Sequence, residues 1–340
     1  MRSEPALLRS GGARSAGLLV AVAVLLAAAL LSMLAGNQWF GPHDVYVAAA
    51  DFTGSDTDRV IRYLRFPRTA VGLLAGMALG LSGAVMQGIT RNSLADPGIL
   101  GVNAGAALAI VAAISLLGVQ SLNGYVWFAM GGALVATVVV YLVGSVGRGG
   151  ATPVKLALAG AAFSALLGSV TSAITLLDLT ALNEFRFWVV GSLTLATGEI
   201  VAQSLPFLAI GIVLALALGR SLNQIALGEE LAATLGTRVG LVRVLAALAI
   251  MLLAGTATAM AGPIAFVGLA VPHVARSLVG ADYRWILPWS LVLAPTMLLL
   301  ADVAGRFVAR PDELQVGIIT ALIGAPLFIA LVRRRKLAEL

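Results

Sequence analysis

Between Arg68 and Arg91 the chain runs for 22 residues without a single charge. At ~1.5 Å of rise per residue this is a helix of ~33 Å, long enough to cross a hydrocarbon core of ~30 Å. Inside it Gly72, Gly76, Gly80, Ala84 and Gly88 recur at every fourth position, forming one smooth stripe. A stripe of small residues lets another helix approach closely, which matters where lipid supplies no hydrophobic drive for association. The run ends in a compact polar turn, RNSLADPGILG at 91–101, in which Asp96 and Pro97 fit the cap and first position of a following helix. These constraints predict an all-α, closely packed polytopic membrane protein.

The remainder of the chain agrees. With 60% hydrophobic and 11% charged residues and a mean hydropathy of +0.99, almost all of the 340 residues are consumed by spans. One membrane domain over 1–340 is expected, with no soluble appendage. Hydrophobic runs place about ten transmembrane helices near 17–36, 66–88, 98–117, 124–147, 153–177, 200–219, 240–261, 264–280, 285–305 and 314–333. Pro263, Gly268 and Pro272 interrupt the eighth, which predicts a broken or kinked helix buried among the others. The segment 178–199 reads as a short interfacial helix around FRFWVVGSL.

Ten spans put both termini on one side. If that side is the cytoplasm, 15 basic residues lie inside, among them Arg2, Arg91, Arg148, Arg220, Arg276, Arg284 and the Arg333–Lys336 tail. Seven lie outside: Arg59, Arg62, Arg65, Arg68, Arg186, Arg306 and Arg310. That asymmetry predicts cytoplasmic termini in a bacterial cell membrane. Cysteine is absent and the two histidines, His43 and His273, stand far apart, so the sequence holds no thiolate or clustered metal site and no cofactor of its own. Scattered charges give no nucleic-acid footprint.

A membrane domain of this shape reads as a transporter, and the absences bear on its power source. The two lysines, Lys155 and Lys336, do not follow glycine, so no phosphate loop exists and the chain is not an ATPase or an enzyme. Acids sit at span ends or in loops rather than at a bilayer midplane, which weighs against an ion-coupled carrier. Between spans six and seven, SLNQIALGEELAATLGTRVG is too polar to span. Glu229 and Glu230 suit the first turn of a short helix, and Gly236 suits its C-terminal cap. Leu227, Leu231 and Leu235 make an apolar ridge on it. Physics alone leaves two uses open: lying on lipid, or docking into a groove of a soluble partner.

Six separated segments resemble one family in the right order: RFPRT at 65–69, Gln87 with RNSLADPGILG at 91–101, ALGEELAATLG at 226–236, GPIAFVGLAVPHVAR at 262–276, LLLADVAGR at 298–306, and ELQVGIITALIGAPLFI at 313–329. The chain resembles a FecCD-type permease, the membrane subunit of type II bacterial ABC importers for ferric siderophores, haem and cobalamin. Ser93 and Gln315 replace prolines usual in that pattern.

The resemblance implies an ATP-driven importer of iron–siderophore complexes in which this chain forms half of the pathway. Its implied partners are two cytoplasmic ATPase subunits that bind the ATP, a second permease copy or paralogue, and an extracytoplasmic binding protein. It implies that Leu227, Gly228, Glu229, Leu231, Leu235 and Gly236 form the ATPase-coupling helix. Asn92 and Leu94 are implied in the cytoplasmic gate, against the plainer reading of an ordinary turn. Arg65, Arg68 and Arg306 are implied in docking the binding protein, against snorkelling or an i,i+4 pair of Arg306 with Asp302. Cobalamin or haem import by the same architecture is the nearest alternative. An ion-coupled secondary carrier is the alternative from a different class.

Overall fold

The computed structural model describes residues 7–36, 38–119, 122–147, 152–194 and 196–338. All regular structure among them is helical. In chain order the helices are α1 (Gly11–Leu34), α2 (Pro42–Ala50), α3 (Asp56–Val60), a π-helical turn (Ile61–Arg65), α4 (Phe66–Thr90), a 3-10 turn (Pro97–Leu100), α5 (Val102–Leu117), α6 (Leu122–Ser145), α7 (Pro153–Leu177), α8 (Leu179–Trp188), α9 (Gly198–Ala217), α10 (Gly219–Ala226), α11 (Glu229–Thr234), α12 (Val239–Ala261), α13 (Val267–Val279), α14 (Tyr283–Val308) and α15 (Val316–Ala338).

Seven helical stretches are long and apolar enough to cross a bilayer, and three shorter apolar helices, at Val102–Leu117, Val267–Val279 and Val316–Ile329, complete the expected ten. Arg2 and Arg148 of the charge count lie outside the described residues.

The glycine stripe of α4 is spent on α14. Gly72 faces Leu299, Gly76 the backbone of Pro295, Gly80 Ala294 and the Ser290 carbonyl, and Gly88 Tyr283. Glycine numbers rise as their partners' numbers fall, so the helices run antiparallel in one unbroken register. A Cβ at Gly76 or Gly80 would overlap the opposing backbone or side chain, which is why the stripe needs glycine. Gly83, off the stripe, meets the Gly268 carbonyl of α13. Pro272 brings no N–H to that carbonyl, so the helix leaves it free and the absent Gly83 side chain makes room for it.

Three boundaries differ from the sequence reading. Asp96 does cap, with its carboxylate accepting from Gly98 N at 2.8 Å, but it caps a single 3-10 turn. Gly101, at φ 76°, then redirects the chain, and the third span starts at Val102 rather than 98. The eighth span is only α13, 13 residues, because Gly262 and Phe266 at positive φ hold 262–266 out of the helix. At 178–199 the helix begins earlier than FRFWVVGSL, at Leu179, capped by Asp178. The chain after it dips between helix ends: Ser192 N donates to Ala261 O at 2.8 Å and Gly317 N to Gly191 O at 3.1 Å. Irregular backbone is tolerated at that depth because protein, not lipid, surrounds it.

Candidate functional site

At the end of the bundle where α4 finishes, α10 and α11 project as a short helical hairpin. Gly228, at φ 117°, breaks the chain between them, a conformation that a side chain would strain. Gly236, at φ 85°, closes α11: Thr237 N donates to Ala232 O at 2.9 Å and Gly236 N to Ala233 O at 3.0 Å, the two bonds of a Schellman cap. Glu229 and Glu230 occupy the first turn of α11, and Glu229 also pairs with Arg243 of α12. Ala232 is buried beneath, whereas Leu227, Leu231 and Leu235 are 63%, 49% and 54% exposed. The hairpin therefore presents three leucines outward from a rigid, capped base.

That base is tied to the spans by side chains. Asn223 of α10 donates from Nδ2 to Asp282 at 2.6 Å and accepts from Tyr283 N at 2.8 Å. Asp282 caps α14 by accepting from Arg284 N at 2.9 Å, and the Arg284 guanidinium grips both of its oxygens. These bonds, Arg284 foremost, hold the Asp282 carboxyl down to about 2. The ties continue inward. Arg276 of α13 donates to the Tyr283 hydroxyl at 3.4 Å and to Gln87 Oε1 of α4 at 3.2 Å. Gln87, itself buried, donates to Leu269 O at 3.1 Å. One chain of polar contacts thus runs from the hairpin through the start of α14 to α13 and α4. Gln87 and Arg276 fall in motifs marked by the sequence; Asn223, Asp282 and Tyr283 were not singled out. The available signal was Asp282, a capping residue directly ahead of an apolar run.

Asn92 and Leu94 lie at the same end, in the turn after α4. Arg91 adopts φ 51°, and the Asn92 side chain accepts from Leu94 N at 3.0 Å. Asn92 is exposed and Leu94 half-buried. The turn is internally braced and stands beside the hairpin, since Gly88 packs against both Leu222 of α10 and Tyr283.

The opposite end corrects an expectation. Arg65 and Arg306 do not stand ready for another protein's carboxylates. Arg306 is 0% exposed and donates from Nη1 to Ser32 O at 2.6 Å and Ala35 O at 2.7 Å, while also pairing with Asp302. Arg65 is buried and donates to Ala35 O at 2.7 Å. The last carbonyls of a helix have no intrahelical donor, and these guanidiniums supply them for α1. Arg68 is nearly buried as well, gripping Asp302 at 2.8 Å and Glu313 at 2.6 Å. In this arrangement all three arginines are occupied by partners within the chain. The i,i+4 pair of Arg306 with Asp302 is present as the spacing allowed.

Among the described residues no group of three or more His, Asp or Glu could hold a metal ion. What the geometry offers is mechanical: a braced, outward-facing apolar ridge wired to three spans.

Comparison with known proteins gives a consistent picture. Residues 24–334 match the FecCD transport family. The ferric enterobactin transport system permease protein FepD of Escherichia coli is 46% identical over 313 residues, covering 92% of this chain and 93% of FepD. The cobalamin import system permease protein BtuC of Halobacterium salinarum is 39% identical over 307 residues, covering 90% and 82%. A solved inward-facing structure assigned to the metal-chelate type of ABC transporter superposes with a TM-score of 0.81 at 29% identity, covering 94% of this chain and 99% of that one.

Proposed function

Because the chain belongs to the FecCD transport family, we propose that it is the permease subunit of an ATP-driven importer whose cargo is a ferric siderophore complex. It forms half of the pathway beside a second permease and takes its cargo from an extracytoplasmic binding protein. In this reading the hairpin end faces the cytoplasm, which the basic-residue asymmetry supports. The observation that carries the reading is the set of exposed leucines on the hairpin, Leu227 at the end of α10 and Leu231 and Leu235 on the capped α11, an apolar surface suited to filling a partner's groove. An ATPase subunit is that partner.

Motion of the ATPase would enter at Leu231 and Leu235. It would pass through Asn223 and Asp282 to the start of α14, and through Tyr283, Arg276 and Gln87 to α13 and α4. Asn92 and Leu94, in the turn that follows Gln87 at the end of α4, would close the cytoplasmic end of the pathway between transport cycles. The cargo assignment draws on the enterobactin permease, the more similar of the two named relatives; cobalamin is the second reading, supported by the other.

The test is uptake by a deletion strain offered ferric siderophores, haem and labelled cobalamin, with the purified complex probed for an ATPase subunit. Siderophore uptake should be lost, return with this gene, and stop with vanadate. Uptake that ignores vanadate and collapses with the ion gradient would replace the reading with a secondary carrier.

A further inference from the structure

Where α9 turns into α10, a cavity of about 550 Å³ opens against the first two turns of α14. Its walls are of two kinds. Leu216, Leu287 and Pro288 form an apolar half, and Arg220, Arg284 and the Tyr283 ring border the other. The apolar stretch of α9 ends at Ala217 and that of α14 begins at Tyr283, so the cavity straddles the boundary between hydrocarbon and headgroups. Arg220 is exposed, with no hydrogen-bond or ion-pair partner among the described residues. Arg284 is matched by Asp282, so the three charges around the cavity leave a net +1 from Arg220.

Water against the leucine and proline wall is unfavourable, and an unpaired guanidinium at headgroup depth attracts anions. A free phosphate would satisfy only the arginine half. A molecule with a phosphodiester head and an acyl chain satisfies both.

We infer that this cavity is a binding site for an anionic phospholipid, with its phosphate on Arg220 and its chain along Leu216, Leu287 and Pro288. The site itself needs only that the chain spans a bilayer; placing the lipid in the cytoplasmic leaflet rests on the orientation proposed above. The lipid would bridge the α9–α10 corner to α14, the two elements that Asn223 and Asp282 already join.

The experiment uses the detergent-purified importer with its ATPase attached, titrated with dioleoyl phosphatidylglycerol or dioleoyl phosphatidylcholine and read by native mass spectrometry. The wild type should retain one phosphatidylglycerol about five-fold more tightly than phosphatidylcholine, the preference that one arginine near a headgroup layer gives. Arg220→Gln should erase that preference, Arg220→Lys should keep most of it, and Arg62→Gln at the opposite end should leave it intact. Retained ATPase shows that each variant is folded, and a preparation lacking the ATPase would count against the importer reading without touching the lipid result. Equal retention of both lipids by the wild type would overturn the proposal, as would an unchanged preference in Arg220→Gln. If 10 mM inorganic phosphate displaces the lipid, the site is a simple anion site and the acyl-chain half of the proposal fails.

Discussion

The two ends of the bundle invert the usual rule about what faces water. At the Arg306 end, guanidiniums and carboxylates are buried and paired with one another and with the carbonyls of α1. At the hairpin end, leucines stand exposed on a helix that is otherwise well capped and ion-paired. Buried ions are costly unless fully matched, and exposed apolar ridges are costly unless covered. The first end has met its requirement within the chain, whereas the second has not. The difference marks the hairpin end as the place where the ATPase of the proposed importer would attach.

The sharpest way to break this contrast is Asp302→Asn. It would leave Arg68 and Arg306 buried with a lost counter-charge, a destabilisation of ~3–5 kcal/mol. Thermal unfolding in detergent should show a large drop in midpoint, while any complex that survives should still hold its ATPase. An unchanged midpoint would mean that this end is more open than its packing implies. Leu231→Asp should do the opposite: leave the midpoint unchanged but weaken ATPase binding by ~2–3 kcal/mol, roughly 30- to 150-fold. Full ATPase retention in that variant would place the ridge against lipid.

A finer probe is Asp282→Asn, which weakens the clamp on Asn223 and the cap of α14 and should cost ~1 kcal/mol. Because the folded carboxyl sits at about 2, below its ordinary ~4, its contribution is present above pH ~4 and fades as the pH falls toward 2. Stability of wild type and variant should therefore converge only in strong acid and differ by a constant amount from pH 5 to 8. Glu229→Gln is the mildest, since a half-exposed ion pair to Arg243 is worth ~0–1 kcal/mol. A loss of ATPase binding as large as that of Leu231→Asp would make Glu229 itself part of the contact.

Local chemistry was legible in the sequence and long-range pairing was not. The α4 stripe, the Asp96 cap and the Gly236 cap depend on residues within a few positions of each other, and each appears in the fold. The fate of Arg65 and Arg306 depends on α1, whose carbonyls are 30 and more than 270 residues away in the chain. The π-helical turn Ile61–Arg65 also shifts the helical phase just before α4, and no residue in IRYLR announces it. The polar chain from Asn223 to Gln87 was hidden for the same reason: its members come from four helices, and each alone reads as a surface or cap residue.

The antiparallel seam of α4 and α14 has a consequence for how this protein can change over generations. Removing or adding one residue within α4 would turn everything beyond it by ~100°, swinging the later glycines away from Pro295, Ser290 and Tyr283 and driving bulkier neighbours into their place. A substitution disturbs one contact, whereas an indel disturbs every contact downstream of it. The stretch from Gly72 to Gly88 is buried on nearly every face, so its residue count should stay frozen, and in a library of single-codon deletions this is where survivors are missing.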